Sequence, residues 1–170
     1  MTMRYVLCLC GAIFPLLVHA AEVSDDDKSF VATVSQGGAF EVRAGELAAE
    51  KGSTQDIKDQ GTTETHDHKL VGEKLNTIAA ANGIQVDSKL SVDFQKEISA
   101  LKKLSGFEFD QAYLKDMEAI HAADGAAFAK EAKAGTNPEL RDFAAETHRI
   151  VERHVGELKA IRPKKPEGQS

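Results

Sequence analysis

Four polar residues occupy positions in this sequence where an apolar side chain is expected, and their side chains are of kinds that bind metal ions. They are Glu41, His68, His121 and His154. Each lies near the centre of an apolar stripe that repeats about every 3.6 residues, the period of one face of an α-helix. Burying polar groups costs free energy unless they are hydrogen-bonded or liganded, so four of them in one small core need a common explanation.

Three imidazoles and one carboxylate together suit a divalent transition metal. Zinc, iron, manganese and copper(II) all accept nitrogen and oxygen ligands of this type. We therefore predict a metal site formed by these four side chains, with the identity of the ion left open. The alternative is a hydrogen-bonded network of the same residues that fixes the register of the helices, because buried polar networks can specify packing.

Two further histidines do not fit this pattern. His66 points nearly opposite the apolar stripe of its helix, and His148 lies at the edge of its own stripe. We expect neither of them to reach the core.

Four long helices and one short one are predicted to position the four residues. The periodicity predicts helices over residues 25–51, 55–81, 92–104, 110–134 and 138–161. Ser24, followed by three aspartates, is typical of a helix start, and Asn137 with Pro138 is typical of another. Asp110 is expected to cap the helix that contains His121.

The connections between these helices predict the fold class. Short turns join the first long helix to the second and the third to the fourth, whereas the long segment from Asn82 to Phe109 joins the two pairs. Two antiparallel hairpins with one long crossover are typical of a ferritin-like bundle. We predict an all-α protein, a ferritin-like four-helix bundle with a short extra helix in the central crossover.

The first residues of the chain predict an export signal. Arg4 precedes an apolar run from Tyr5 to Val18, and Val18-His19-Ala20 supplies small residues at the positions that a signal peptidase reads. The run is shorter than the roughly 20 apolar residues that a membrane-spanning helix needs, although an uncleaved anchor is the alternative. We expect cleavage near Ala20, no transmembrane span after the signal is removed, and a periplasmic location.

The predicted organisation is therefore a signal peptide over residues 1–20, a helical bundle over 21–162 and a flexible charged tail over 163–170. Both cysteines, Cys8 and Cys10, would leave with the signal. The exported chain would then have neither a disulfide nor a thiolate for a copper(I) site.

The composition and the motifs of the sequence disfavour several classes of function. The chain has 21 basic and 27 acidic residues and a net charge of −6, which disfavours nucleic-acid binding. Phosphate-binding, dinucleotide-binding and nucleophile-elbow motifs are absent from the sequence, so it predicts no catalytic residue and does not favour an enzyme. No feature of the sequence identifies a protein partner.

A dinuclear carboxylate site is disfavoured by the spacing of the acids. Such sites take Glu-x-x-His from two helices and a further Glu from each of two others. Glu118 and His121 have this spacing, but Glu64 and Glu157 each lie a full turn from the nearest core histidine and complete no second motif. A ferritin-like oxidoreductase is thus a less favoured alternative, beside a structural or stress-related interaction protein without metal.

Several short motifs follow one another in order along the four long helices. They are Gly37-Gly38-Ala39-Phe40-Glu41, Asp67-His68, Leu104-Ser105-Gly106, Tyr113-Leu114 before His121, and Asn137-Pro138-Glu139-Leu140 before His154. In these motifs the sequence resembles the bacterial domain of unknown function 4142 family (DUF4142) over about residues 28–161. The resemblance implies an exported, ferritin-like bundle with recurring polar positions at the four predicted ligands, and it implies no particular reaction.

Overall fold

In a computed structural model, residues 22–87 and 89–163 are described, and within them the chain forms five α-helices and no β-strand. The helices are α1 (Asp25–Lys51), α2 (Gln55–Ala81), α3 (Val92–Lys103), α4 (Gly106–Ala134) and α5 (Pro138–Ala160). The prediction of an all-α bundle is therefore confirmed. The predicted signal peptide and nearly all of the predicted tail lie outside the described residues. None of these five helices is long and apolar enough to cross a membrane.

The predicted helix ends are confirmed to within one residue for every helix except α4. At the start of α1, the Ser24 hydroxyl accepts a hydrogen bond from the backbone N–H of Asp27, whose carboxylate accepts one from the N–H of Ser24. This reciprocal capping box satisfies two N–H groups that have no partner within the helix. Asn137 caps α5 with its side-chain oxygen, which accepts hydrogen bonds from the backbone N–H groups of Glu139 and Leu140, and Pro138 lies in the first turn.

The start of α4 differs from its prediction. The helix begins at Gly106, one turn before Asp110, and Ser105 is its N-cap. Asp110 is fully buried, and its carboxylate accepts hydrogen bonds from the backbone N–H (3.0 Å) and the hydroxyl of Ser53 in the α1–α2 turn. Asp110 was the wrong cap because its carboxylate satisfies donors of another turn rather than those of its own helix.

The four long helices form a closed ring in which α1 contacts α2 and α4, and α5 contacts α4 and α2. At one end of the bundle, the Thr136 N–H donates to Asp27, and the Asn137 amide donates to Asn82. The contact between Ser53 and Asp110 lies at the other end. Consequently α1 and α5 run in one direction, and α2 and α4 run in the other.

The crossover must carry the chain from one end of this ring to the other. On the way it forms α3, which packs against α1 and α4. Two antiparallel hairpins joined by a long connection with a short helix are thus confirmed. Assignment to the ferritin-like class stays a prediction.

A layer of polar side chains divides the apolar core into two clusters. One cluster surrounds Phe109 and Tyr113 and includes the short helix, and the other surrounds Phe30 and Phe143. Between them, along the four long helices, lie buried acids and histidines: Glu41, Glu64, His68, His121, Asp124 and His154. The apolar clusters on both sides fix the backbone positions from which these polar side chains project.

Candidate metal centre

The middle of the bundle contains a cluster of buried histidines and carboxylates from all four long helices. α1 contributes Glu41, α2 contributes Glu64 and His68, α4 contributes His121, and α5 contributes His154. His68 is the most exposed of the five side chains, at 4%. The structure thus brings the four predicted ligands together and places Glu64 among them.

Three imidazole rings converge on one carboxylate oxygen. Oε2 of Glu64 lies 3.1 Å from Nε2 of His68, 3.4 Å from Nε2 of His121 and 3.0 Å from Nδ1 of His154. The nitrogens of His121 and His154 are 3.3 Å apart. A tetrahedral ion with bonds of about 2.0–2.1 Å separates its ligand atoms by about 3.3 Å, so these four distances fit a single ion. The remaining pairs of ligand atoms lie within 4.8 Å of each other.

The converging atoms are close together, but hydrogen bonds do not explain their positions well. Oε2 of Glu64 and Nε2 of His68 are both buried, and neither has a hydrogen bond of acceptable geometry within the described residues. Atoms that surround a common centre direct their lone pairs at that centre rather than at one another. These orphaned atoms therefore fit a metal ion better than a closed hydrogen-bond network.

The second nitrogen of each ring contacts a different acceptor. A metal-bound histidine usually donates its other N–H to such a group, which fixes the tautomer and leaves the metal-facing nitrogen with a free lone pair. The three contacts run from Nδ1 of His68 to Oε2 of Glu41 (2.9 Å), from Nδ1 of His121 to the carbonyl oxygen of Met117 (2.8 Å), and from Nε2 of His154 to Oδ2 of Asp67 (3.0 Å).

Arg153 completes the outer contact of His154. One of its guanidinium nitrogens pairs with Oδ2 of Asp67 and also lies 3.1 Å from Nε2 of His154. The arginine is closer to the carboxylate, so we assign its donor to Asp67. Nε2 of His154 then donates to the same carboxylate, and Nδ1 is left as the nitrogen that faces the centre.

Glu41 lies beside the converging set rather than within it. One ligand atom each from Glu64, His68, His121 and His154 lies within 4.8 Å of the others. Glu41 instead contacts the opposite nitrogen of His68 and lies 3.5 Å from Nδ1 of His121. The geometry therefore favours Glu64 over Glu41 as the carboxylate ligand, and Glu41 takes the position of an outer acceptor.

The charges of the buried carboxylates dominate the electrostatics of the cluster. Burial disfavours a charged His68, but Glu41 and Glu64 outweigh it and raise the pKa of this imidazole to about 10. Burial likewise opposes an ionised Glu64, yet the three imidazoles that surround its carboxylate, those of His121, His154 and His68, hold its pKa well below the ordinary value. The negative charge must be compensated, either by protonated imidazoles or by a bound cation.

A further acid, Asp124, lies next to this cluster. It is 3% exposed, and burial together with the charge of Glu41 raises its pKa to about 8. Its carboxylate occupies space that a side chain at position 37 would fill, since a Cβ on Gly37 would lie 2.2 Å from Oδ2 of Asp124. The glycine in α1 therefore makes room for this acid in α4.

The helical periodicity of α2 contains a signal for Glu64. Gln60, Glu64 and His68 follow one another at intervals of four residues, which places all three on one helix face. All three are buried, and the Gln60 amide donates to Oε1 of Glu64 over 2.7 Å. Glu64 does not complete the Glu-x-x-His motif of dinuclear sites, but its position in the buried stripe of α2 indicates a core residue.

The two histidines predicted to lie outside the core do so. His66 is exposed on α2, and the side chain of His148 is 31% exposed on α5. Both are on the same helices as core histidines, so they provide internal controls for any experiment on the cluster.

Comparison with known families identifies one match. The model of a family described as a domain of unknown function, DUF4142, matches residues 16–161, which include all five helices and every residue of the cluster. No curated protein and no solved structure matches the chain. The comparison therefore identifies the family of the chain, but it does not identify a function.

Proposed function

The chain belongs to the DUF4142 family, and we propose that it is an exported protein that binds one divalent transition metal ion in the core of its bundle. The proposed ligands are Glu64, His68, His121 and His154, and Glu41 serves as an outer acceptor. The observation that carries the proposal is the convergence of three imidazole nitrogens on one carboxylate oxygen at ligand spacing.

The closed character of the site favours binding over catalysis. Four protein ligands complete a tetrahedral shell, whereas a catalytic ion keeps a position open for water or substrate. Three nitrogens and one oxygen in this arrangement suit zinc best among the candidate metals, and iron, manganese and copper(II) remain alternatives. The role that we propose is to hold the ion for storage, for transfer or as a structural element.

The metal content of the purified protein tests this proposal. The full chain would be produced without a histidine tag or a nickel column, and its metals would be measured by mass spectrometry. We expect close to one equivalent of metal per chain. The double variant His121→Ala, His154→Ala should lose it, whereas His66→Ala, His148→Ala, which alters two histidines outside the core, should retain it.

Two results together would contradict the proposal. They are metal-free protein after purification and a melting temperature that does not change when zinc, iron, manganese or copper is added. Binding of an ion to the folded state alone raises stability by about 2.7 kcal/mol at one hundred times the dissociation constant, so real binding would be visible.

A metal-free network that fixes the helix register is the second candidate function. The hydrogen bonds from Gln60 to Glu64 and between His154 and Asp67 support it, because they satisfy part of the cluster without an ion. Replacing the four proposed ligands by apolar residues of similar volume would then be neutral or stabilising in every condition. If metal is bound, the same replacement should abolish all stabilisation by zinc.

The proposed location rests on the N-terminal residues alone. The short basic start, the apolar run and the small residues before Ala21 support cleavage by signal peptidase and release into the periplasm. N-terminal sequencing of the protein from a periplasmic fraction would test this. A chain that still begins at Met1, or that stays in the membrane fraction, would contradict it.

A further inference from the structure

A cleft of about 680 Å³ lies between α1 and α2, and the crossover forms one of its walls. Its middle is largely apolar, with Val34, Val71 and Leu75 among the lining residues. Acidic and basic side chains alternate at the rim: Arg43, Glu46, Lys69, Glu73, Asp87 and Lys89. Since three charges of each sign lie at the rim, the rim has no strong preference for either anions or cations.

The inner end of the cleft is acidic. Glu41, His68 and Asp124 all line it. Both carboxylate oxygens of Glu41 are buried and have no well-aligned hydrogen bond within the described residues, although one of them contacts Nδ1 of His68. The two buried acids at the inner end of this cleft, beyond its apolar middle, therefore offer oxygen ligands to an arriving cation.

Two glycines keep this passage open. Gly38 on α1 and Gly72 on α2 both line the cleft, and a Cβ built on either would have no neighbour within 4 Å. A larger side chain at these positions would therefore project into the free volume of the cleft. Gly37 has a different role, because its missing side chain accommodates Asp124.

His68 connects the cleft to the candidate metal centre. It lines the cleft and is 4% exposed, compared with 1% or less for the other three proposed ligands. Its Nδ1 faces Glu41 and its Nε2 faces Glu64, so a single imidazole ring separates the end of the cleft from the centre. Rotation of this ring is the smallest movement that would connect the end of the cleft to the candidate metal centre.

We propose that the cleft between α1 and α2 is the route by which a divalent cation reaches and leaves the buried centre, with Glu41 and Asp124 as its first docking point. This inference rests on the proposed metal binding. A buried site needs such a path if the ion is to exchange without global unfolding. Glu41 and Asp124 replace part of the hydration shell of the ion, and His68 then passes it to the centre.

Rates of zinc exchange test the route. Zinc association would be followed in a stopped-flow instrument with a chromophoric zinc indicator, and release would be followed with excess chelator. Gly38→Leu and Gly72→Leu should each slow association and release by the same factor, about tenfold or more, and leave the dissociation constant unchanged. A substitution that disturbs the fold would instead lower the affinity or the melting temperature.

Gly156→Leu is the matched control. Gly156 is exposed on α5, a Cβ there would also have no neighbour within 4 Å, and it does not line the cleft. The Gly156→Leu variant should exchange zinc at the same rates as the unmodified protein. Gly38 and Gly72 lie on different helices, so one variant still tests the route if the other does not fold.

The outcomes separate this inference from the proposed function. If the unmodified protein binds zinc and both leucine variants exchange it at the normal rate, the proposed route is wrong. The proposed metal site is not contradicted by that result. If zinc exchange is instead accelerated by Arg153→Ala, with the glycine variants unchanged, the ion passes between α2 and α5, and the inference is overturned. If the unmodified protein binds none of zinc, iron, manganese and copper, both proposals are wrong.

Discussion

Oε2 of Glu41 lies 2.9 Å from Nδ1 of His68, whereas Oε2 of Glu64 lies 3.1 Å from Nε2 of the same ring. One imidazole therefore stands between two buried carboxylates that differ in their surroundings. Glu64 also contacts the other two rings through their centre-facing nitrogens, and Glu41 does not. If the proposed ion is bound, this arrangement assigns Glu64 as its ligand and Glu41 as the group that orients the ring.

Substitution of the two carboxylates should separate these roles. Glu64→Gln removes a charged ligand and should weaken zinc binding by more than about 100-fold. Glu41→Gln removes an outer contact, for which losses are typically about 10–100-fold. Zinc affinities of both variants, measured by competition with a chelator, check the order. A larger loss for Glu41→Gln would mean that Glu41 is the ligand.

The close approach of α1 and α2 depends on glycine. A Cβ on Gly61 would lie 2.6 Å from the backbone oxygen of Gly45 and 2.6 Å from the backbone nitrogen of Ala49. Backbone atoms cannot move aside as the end of a side chain can. Gly61→Ala should therefore lower the free energy of unfolding by about 1–3 kcal/mol, as overpacking does.

Gly72→Ala is the matched comparison on the same helix, because a Cβ there would have no neighbour within 4 Å. It should raise the free energy of unfolding by about 0.5–1 kcal/mol, since alanine loses less conformational entropy in a helix than glycine. Urea denaturation of the two variants measures both changes. Equal effects of the two substitutions would show that α1 and α2 are not in such close contact.

A second buried acidic pair, Asp27 and Glu131, lies at the end of the bundle where α1 begins. Burial and a hydrogen bond to Asp27 raise the pKa of Glu131 from 4.5 to about 7. The folded state therefore holds a proton that the unfolded chain loses between about pH 4.5 and pH 7. Because the folded state binds more protons in this window, Glu131 makes stability fall as the pH rises through it, and the cost is constant above pH 7.

Glu131→Gln keeps a hydrogen-bond donor for Asp27 without a titratable proton. Below about pH 4.5 the variant and the unmodified protein should be similarly stable. Above pH 7 the variant should be more stable by about 1 kcal/mol, a value reduced from the full linkage effect because solvent screens charges near the end of the bundle. Urea denaturation between pH 4 and 8 measures this difference. Glu118→Gln, at an exposed position of the same helix, is the control, and an advantage of Glu131→Gln that does not change with pH would contradict the prediction.

Much of the fold could be predicted from the sequence because its determinants are local. Ser24, Asn137 and Pro138 mark helix starts through their own backbone and side-chain chemistry, and the structure confirms these starts. Asp110 has the same capping chemistry, but its carboxylate binds Ser53, which is distant in the sequence. A pattern within one helix does not reveal such a partner.

The candidate site shows the same division between local and distant information. Helical periodicity correctly placed His68, His121 and His154 on the faces that point into the core. It gives the direction of a side chain, but not its height along the bundle or the nitrogen that it presents. For that reason it could not distinguish Glu64 from Glu41, whose difference depends on which side of the His68 ring each one contacts.

The position of the ion in crystals of the zinc-loaded protein tests the central claim most directly. Anomalous scattering at the zinc edge locates the ion independently of any assumption about its ligands. We predict one peak, about 2.0–2.2 Å from Oε2 of Glu64, Nε2 of His68, Nε2 of His121 and Nδ1 of His154. A peak between Glu41 and Nδ1 of His68, or no peak in the bundle core, would contradict the account.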